Sequence, residues 1–239
     1  MEFRLDKFLS EQKNLSRADA RKLIQRGKVT VDKHIIRSAD FKINPEINLV
    51  ELLGVKVPYK EHIYIMLNKP AGILSAASDK SRKTVVDLLP DELMRKGLFP
   101  VGRLDRDTTG FIIITDDGDF AHYVISPKSG IKKKYRVLLD GELTESEADE
   151  LRRGITLADG TKCLPAEVKI NPDNPHEAEV EISEGKYHHI KRSFGVIGLG
   201  VNELHRKSIG GVYLDESLPV GGCRELTAAE LDKIYKKIQ

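Results

Sequence analysis

The sequence has little cysteine, no tryptophan and no long apolar run. Its 239 residues include 2 cysteines. Cys163 and Cys223 lie far apart, and neither has a further Cys or His nearby at the spacing of metal ligands, so the sequence indicates neither a disulfide framework nor a zinc site. No segment has the length needed to cross a bilayer, and the first residues lack the apolar core of a signal peptide. We therefore expect a cytosolic protein with free thiols, no metal and no membrane partner.

Positive charge is concentrated at the front of the chain. The whole sequence carries a net charge of +2, whereas residues 1–58 hold 12 Lys and Arg against 8 Asp and Glu. Such a basic segment beside a near-neutral body favours docking on a polyanion, although a basic face can also be merely solvated. The apolar content of 40% is sufficient for an ordinary core. The length allows one large domain, or a small domain followed by a larger one.

Two short helices are predicted at the front. Leu5, Phe8 and Leu9 stand at helical spacing and predict the first. Ser16 has the residue type of an N-cap and predicts the start of a second helix, which we expect to end at Gly27. A compact helical pair is therefore expected before residue 28.

A basic hairpin is predicted after these helices. The segment "KVTVDKHIIRSADFKI" alternates apolar and polar residues around a polar turn at Asp32 and Lys33. On the preceding helix Arg17 and Arg21 are one turn apart, so they share a face and offer cations at a spacing that can follow a phosphate backbone. The alternative is an ordinary amphipathic surface helix.

Residues 2–50 resemble the S4 RNA-binding domain. The resemblance is carried by "RLDKFL", "SRADARKLIQRGKVTVD" and the strand that follows, all in the order of that family. It implies RNA as the partner, with Arg17, Arg21 and Lys22 docking on phosphates.

The pattern changes around residues 57–60, where we place a short linker. We therefore expect two domains, residues 1–58 and residues 59–239, the second an α+β body. The strings that predict its helices and strands alternate along the chain: strand 63–67, helix "DDGDFAHYVIS", strand "KKKYRVLL", helix "TESEADELRRG", strands 167–170 and 177–182, helix "GKYHHIKRSFGVIG", strand "VNELHRKSIGGVYL" and helix "TAAELDKIYKKI".

The loop "GRLDRDTTG", residues 102–110, concentrates charge between glycines ahead of an apolar strand. Asp105, Asp107, Gly110 and Asp116 match four positions of a calcium loop, but Asp116 stands where a bidentate Glu is needed, and residues 111–115 have the pattern of a strand. Asp105 and Asp107 could also be the acid and base of a glycosidase. Without further observations, both aspartates are ordinary turn and cap residues. The residues by themselves leave the last two interpretations open.

Several separate blocks resemble the pseudouridine synthases, specifically the group named for the small-subunit ribosomal RNA enzyme. They are "NKPAG", "GRLDRDTTG", "KKYRV" and "EGKYHHIKRSFGVIG" with "LHRKSIGG", in that order. The resemblance implies an S4-like module followed by a synthase domain with a mixed, largely antiparallel sheet flanked by helices. It also implies that a uridine is isomerised without a cofactor or metal: the N1–C1′ bond breaks, the uracil turns, and C5 is joined to C1′.

The resemblance assigns roles to several residues. Asp105 is the carboxylate required for chemistry, as a nucleophile or as a base. Tyr135 stands where an aromatic ring can stack on the base. Lys191 stands where a basic residue pairs with the catalytic carboxylate, with Arg192 as the adjacent alternative. Arg103 orients the loop or contacts the backbone of a flipped nucleotide.

One position departs from the family pattern, and the RNA substrate has alternatives. His189 stands where Gln is expected, which affects fine substrate contacts rather than the reaction. Small-subunit 16S ribosomal RNA is the expected substrate, naked or within a ribosome-assembly intermediate, and we expect a monomer. Large-subunit 23S ribosomal RNA is the close alternative. The alternative from another functional class is an RNA-binding or ribosome-assembly protein that carries an S4 domain and has no catalytic activity.

Overall fold

The computed structural model describes residues 2–235, which fall into two compact units. The first unit comprises the residues up to Ile63 together with Leu89–Leu98, and the second comprises Tyr64–Leu88 and the residues from Phe99 onward. The sequence predicts a single change of domain at residue 58, and nothing in its pattern indicates that Leu89–Leu98 returns to the first unit. None of the helices in residues 2–235 is long and apolar enough to cross a membrane.

Two helices lead the first unit, as the sequence predicts. Helix α1 covers Leu5–Gln12 and helix α2 covers Arg17–Gln25. The Ser16 hydroxyl accepts a hydrogen bond from the Asp19 backbone N–H at 3.0 Å, which satisfies one of the donors left unpaired at the start of a helix. Apolar side chains of both helices are fully buried in the core of this unit, among them Leu5, Leu9, Ala20 and Ile24.

Short strands complete the first unit. They are β1 Phe3–Arg4, β2 Val29–Val31, β3 His34–Ile35, β4 Lys42–Ile43, β5 Val50–Leu52 and β6 Val55–Lys56. Four of them form a sheet in the order β3-β2-β5-β6, and β1 pairs with β4. The predicted hairpin is confirmed as β2 and β3. Its turn residues Asp32 and Lys33 have φ values of 51° and 68°, as a two-residue type I′ turn requires.

A nine-stranded sheet forms the second unit. Its strands are β7 Tyr64–Lys69, β8 Phe99–Pro100, β9 Thr109–Thr115, β10 Lys133–Leu139, β11 Glu167–Asn171, β12 Asn174–Ile182, β13 Val201–Ile209, β14 Val212–Tyr213 and β15 Cys223–Glu225. The order is β11-β12-β10-β13-β9-β7-β15, with β14 on β13 and β8 on β9. Among these strand pairs only β9 and β13 run parallel. The predicted mixed, largely antiparallel sheet is therefore confirmed.

Three of the four α-helices described in the second unit begin at side-chain caps, and the helix His189–Val196 does not. They are α3 Gly118–Ile125, α4 Glu145–Arg153, α5 His189–Val196 and α6 Ala228–Tyr235, with single 3-10 turns at Val86–Leu88 and Pro127–Ser129. Asp117 caps α3, and Thr144 with Glu147 forms a capping box at the start of α4. Thr227 makes the same reciprocal contacts with Glu230 at the start of α6. The predicted part of α6 beyond Tyr235 lies outside the described residues.

Two strands present one face to the interior. Along β10, Lys133, Tyr135, Val137 and Leu139 are buried and the residues between them are half-buried, the period-2 pattern of a strand with one covered face. The neighbouring β13 also alternates, with Leu204, Arg206 and Ser208 buried. The sequence predicts one strand from 201 to 214, but the chain turns at two glycines with positive φ, Gly210 and Gly211, and pairs back as β14.

Gly110 allows the parallel contact between β9 and β13. Its φ is +95°, and a Cβ built there would lie 2.4 Å from the backbone oxygen of Arg206 and 2.9 Å from its nitrogen. A side chain at this position would therefore collide with the neighbouring strand.

Candidate active site

The loop of residues 102–110 connects β8 to β9, and a buried lysine donates hydrogen bonds to its backbone. The Lys69 ammonium, at the end of β7, is fully buried and donates to the carbonyl oxygens of Pro70 at 3.1 Å, Asp105 at 3.1 Å, Arg106 at 3.2 Å and Thr108 at 2.8 Å. Burial lowers the pKa of Lys69 to about 8, although the Asp107 and Asp105 carboxylates oppose this shift. The backbone on both sides of Asp105 is thereby fixed.

A cavity of about 460 Å³ lies beside this loop. This volume is in the range of small-molecule sites. Its walls come from the loop, from α3, from β10 and β13, and from the segment between β12 and α5. Its lining includes the polar side chains of Arg103, Asp105, Tyr135, Glu184, His188 and Arg206.

Asp105 and Tyr135 both line the cavity, as the resemblance predicts for residues that act together. Asp105 projects from the loop and is partly exposed, whereas Tyr135 is buried on β10. A carboxylate at the rim and an aromatic ring in the wall can hold a flat, polar ring near a reactive oxygen.

The Asp105 carboxylate faces the imidazole ring of His188. Its Nε2 lies 3.5 Å from Asp105 Oδ1. The residue caps α5 with a left-handed backbone, φ +48°. Its ring stacks on Tyr187, with centroids 3.8 Å apart and planes 18° apart, and Tyr187 is 68% exposed. The stacked pair gives the mouth of the cavity an aromatic surface.

Lys191 has a different partner from the one expected. Its Nζ lies 2.5 Å from Asp107 Oδ2, so the structure pairs this lysine with Asp107 rather than with Asp105. This contact lowers the pKa of Asp107. Lys191 lies on α5, three residues after His188. The left-handed backbone at His188 directs its imidazole, and not the Lys191 ammonium, toward Asp105.

The other two predicted arginines near the site differ in position. Arg103 is exposed and lines the cavity, so it can meet the substrate backbone. Arg192 points away, with its Nη2 2.6 Å from Asp159 Oδ2.

Arg206 was not singled out from the sequence. It is 5% exposed, its Nε donates to the Phe111 carbonyl oxygen at 2.6 Å, and its Nη1 lies 3.5 Å from the Tyr135 hydroxyl. Its Nη2 is buried and has no hydrogen-bond partner among the described residues. The strand alternation of "LHRKS" places Arg206 on the same face as Leu204, so a charged residue at an inward position was the available signal.

The basic residues predicted to dock RNA lie on α2 of the first unit. Arg17 and Arg21 share a face as expected, and each is about half-exposed. Both also donate to Asp6, a fully buried carboxylate, at 3.2 Å and 2.9 Å. Lys22 extends into solvent and lies 3.6 Å from Asp19. The helix therefore presents cations whose positions are set partly by a buried counter-charge.

Comparisons with known proteins agree along the whole chain. The family model described as RNA pseudouridylate synthase matches residues 63–195, and the S4 domain model matches residues 3–46. The ribosomal small subunit pseudouridine synthase A of Vibrio vulnificus (strain CMCP6) is 39% identical over 98% of this chain and 100% of its own. The protein of that name from Escherichia coli (strain K12) is 38% identical over 97% and 99%.

A solved structure extends this similarity to the fold. A crystal structure of a pseudouridylate synthase covers 97% of this chain and 99% of its own, with a TM-score of 0.68 and 35% sequence identity. The uncharacterized RNA pseudouridine synthase YtzG of Bacillus subtilis (strain 168) is 40% identical over 95% of this chain and 96% of its own. With Asp105 and Tyr135 in one cavity and these matches over its length, the chain belongs to the RNA pseudouridylate synthase family and carries an S4 domain ahead of the synthase domain.

Proposed function

We propose that this protein isomerises a uridine of small-subunit (16S) ribosomal RNA to pseudouridine. The observation that carries the proposal is that Asp105 and Tyr135, from separate segments, line one cavity of about 460 Å³. The choice of RNA is supported by full-length relatives that are named for the small subunit.

In the proposed reaction the N1–C1′ bond breaks and a C5–C1′ bond forms. The uracil turns within the cavity between the two events, the hydrogen on C5 leaves to solvent as a proton, and N1 takes up a proton, so that the product is an isomer of the substrate. Asp105 supplies the carboxylate, either as a nucleophile toward the nucleotide or as a base that removes a proton from it. The Lys69 contacts to the carbonyl oxygens of the loop keep this carboxylate at the rim.

The remaining side chains of the cavity bind and orient the nucleotide. A uridine inside folded RNA must be extruded to react, which costs a few kcal/mol. Stacking on Tyr135 and on the exposed Tyr187 offsets that cost. The unpartnered N–H of Arg206 would be satisfied by an oxygen of the substrate, because an unpaired buried donor is unfavourable by about 1–3 kcal/mol.

The proposed roles of the predicted cations follow their positions. Lys191 acts through Asp107 and fastens the start of α5 to the loop, while Arg103 contacts the backbone of the extruded nucleotide. Arg192, which pairs with Asp159, contacts the RNA outside the cavity. Arg17, Arg21 and Lys22 dock on phosphates through the S4 domain.

The proposed partner is ribosomal RNA before the subunit is complete. Extrusion of a nucleotide is easiest where the RNA is still unpaired, which favours an assembly intermediate and places the protein in the cytoplasm with its RNA. One chain supplies all the residues assigned a role, so we propose that it acts as a monomer. Light scattering of the purified protein and turnover on naked 16S RNA against assembled subunits test these two points.

The proposed function is tested with RNA labelled with tritium at C5 and with the nearly isosteric variant Asp105→Asn. We expect label release by the wild type, none by Asp105→Asn, and an RNA affinity of the variant within about tenfold of the wild type. Asp119→Asn, an exposed carboxylate on α3, is the matched control and should release label.

Mapping of pseudouridine in cells with and without the protein identifies the RNA. A lost site in 16S RNA agrees with the proposal, and a lost site in 23S RNA selects the large-subunit alternative. No lost site, together with no label release by the wild type, would leave an RNA-binding protein without activity.

A further inference from the structure

Three side chains of metal-ligand type meet behind the wall of the cavity. Cys163 lies in the loop that follows α4, Glu184 follows β12, and His189 begins α5. One ligand atom from each, a thiol sulfur, a carboxylate oxygen and an imidazole nitrogen, lies within 4.8 Å of the other two. A tetrahedral zinc ion has Zn–S and Zn–N bonds of about 2.3 and 2.0 Å. The three ligand atoms would therefore have to move only slightly closer together to bind one ion.

His189 is a buried ring with an unused nitrogen. The residue is 7% exposed, and its Nδ1 has no hydrogen-bond partner among the described residues. Its other nitrogen, Nε2, lies 3.6 Å from Glu184 Oε1. A neutral imidazole is the form that ligates metals. An unpartnered nitrogen in this position is unfavourable unless a ligand occupies it.

Space for an ion exists beside the histidine. A small cavity of about 20 Å³ is lined by Cys163, His189 and apolar side chains such as Leu151 and Phe194. This is room for a single water molecule or ion. Apolar surroundings strengthen the attraction between a cation and a thiolate, because little water competes.

Glu184 is held in place by the loop that carries the cysteine. The Leu164 backbone N–H donates to Glu184 Oε1 at 2.9 Å, so the residue after Cys163 is tied to the carboxylate. Lys186 Nζ lies 2.9 Å from the same oxygen and also donates to the Lys162 carbonyl oxygen, so a cation bound by Glu184 would displace this ammonium from the carboxylate. Such outer contacts orient metal ligands.

We propose that Cys163, Glu184 and His189 bind one zinc ion, with water in the fourth position. A thiolate and an imidazole favour zinc over magnesium or calcium, which prefer oxygen ligands. On binding, the Cys163 thiol loses its proton to solvent and the sulfur forms the bond to zinc. Glu184 and His189 also line the large cavity, so the ion would fasten the segment that carries His188 to Asp105.

The test uses the full-length protein, freed of metal and titrated with Zn²⁺ and with Co²⁺ as a spectroscopic probe. We expect one metal ion per chain and a thiolate-to-cobalt charge-transfer absorption. Zinc should also raise the melting temperature of the wild type by mass action. Cobalt binding without the charge-transfer absorption, or the absence of stoichiometric binding, overturns the proposal without the need for a variant.

Variants identify the ligands. Cys163→Ser and His189→Gln should each weaken zinc binding by at least about tenfold, a change of about 1.4 kcal/mol, and Cys163→Ser should lose the charge-transfer absorption. Cys223→Ser is the matched control, since Cys223 is also a half-buried free thiol, and it should bind as the wild type does. Equal binding by Cys163→Ser and wild type would overturn the assignment.

Discussion

At the scale of single residues, the protonation state of Lys69 affects the position of the loop that carries Asp105. Its ammonium is shared among four carbonyl oxygens, and the charged groups that face it are Asp107, Asp105 and Arg206. A neutral amine has one N–H fewer for the same oxygens, so deprotonation loosens the backbone that carries Asp105. The pKa of about 8 places this change close to neutral pH.

We therefore predict that turnover falls as the pH rises through about 8. Deprotonation of Lys69 should not lower the free energy of unfolding over the same pH range. The folded pKa of Lys69 lies below the unfolded value of 10.5, so between these values the unfolded chain holds the additional proton, and the contribution of Lys69 to the free energy of unfolding rises with pH. Tritium release and chemical denaturation, each measured against pH, separate the two effects.

Two variants assign the alkaline loss of turnover to Lys69. Lys133, which donates to the Val124 and Ile131 carbonyl oxygens, also has a pKa lowered to about 8, by burial and by Arg206. Lys133→Met should keep the alkaline loss. Lys69→Met should show a lower rate at neutral pH and no further loss near pH 8. An unchanged alkaline loss in Lys69→Met would contradict the role given to this lysine.

At the scale of elements, the arginines of α2 that we propose to dock RNA also belong to an internal charge cluster around Asp6. Burial opposes ionisation of Asp6, but hydrogen bonds from Arg4, Arg21 and Arg17 outweigh it and hold the pKa of Asp6 well below its usual range. If only Arg17 and Arg21 were replaced, the buried Asp6 carboxylate would lose two of its hydrogen-bond donors and the domain would be destabilised. A loss of RNA affinity could then result from unfolding and not from lost phosphate contacts.

The prediction for α2 is accordingly made for a triple variant, Asp6→Asn with Arg17→Gln and Arg21→Gln. We expect the plot of log affinity against log salt concentration to lose about 1.4 units of slope, because each phosphate contact to single-stranded RNA contributes about 0.7. Fluorescence anisotropy with an rRNA fragment at several salt concentrations measures the slope.

The matched control for α2 removes two exposed lysines of the second unit, Lys80→Gln with Lys233→Gln. It should change the slope less than the triple variant does. A triple variant that folds and keeps the slope of the wild type would show that α2 does not contact phosphates.

Elements whose signals are local could be predicted from the sequence, and contacts between distant segments could not. Ser16 caps its helix as expected, because a cap is decided within four residues. The break at Gly210 was missed because the alternation continues across it. The family motifs predicted that Asp105 and Tyr135 act together, and both line one cavity. The pairing of Lys191 with Asp107 and the contacts of Arg206 depend on side-chain directions that no motif contains.

At the scale of the whole synthase unit, two half-sheets meet at a short parallel contact. β9 and β13 are paired at His205 with Thr109 and at Arg206 with Gly110. The loop with Asp105 precedes β9, whereas Tyr135 lies on β10, which pairs with β13. The relative position of the carboxylate and the ring is therefore set across this contact.

We predict that Gly110→Ala destabilises the protein by about 3 kcal/mol or more and abolishes turnover. The added Cβ would lie 2.4 Å from the Arg206 carbonyl oxygen, and φ is +95°. Gly118→Ala, at the start of α3 with nothing within 4 Å of the built Cβ, is the matched control and should be neutral or slightly stabilising. Chemical denaturation compares the two, and equal stabilities would contradict the close contact.

The same two-pair contact also determines what a misfolded copy would look like. Successive residues of a strand face opposite sides, so a shift of β13 by one residue against β9 would turn Arg206 outward and bring His205 into the cavity. Such a molecule would keep its helices, its strand content and its size. Circular dichroism and gel filtration would therefore not distinguish it from the native protein. Catalysis is then the sensitive probe of register, and the active fraction of a preparation reports how faithfully the two half-sheets have joined.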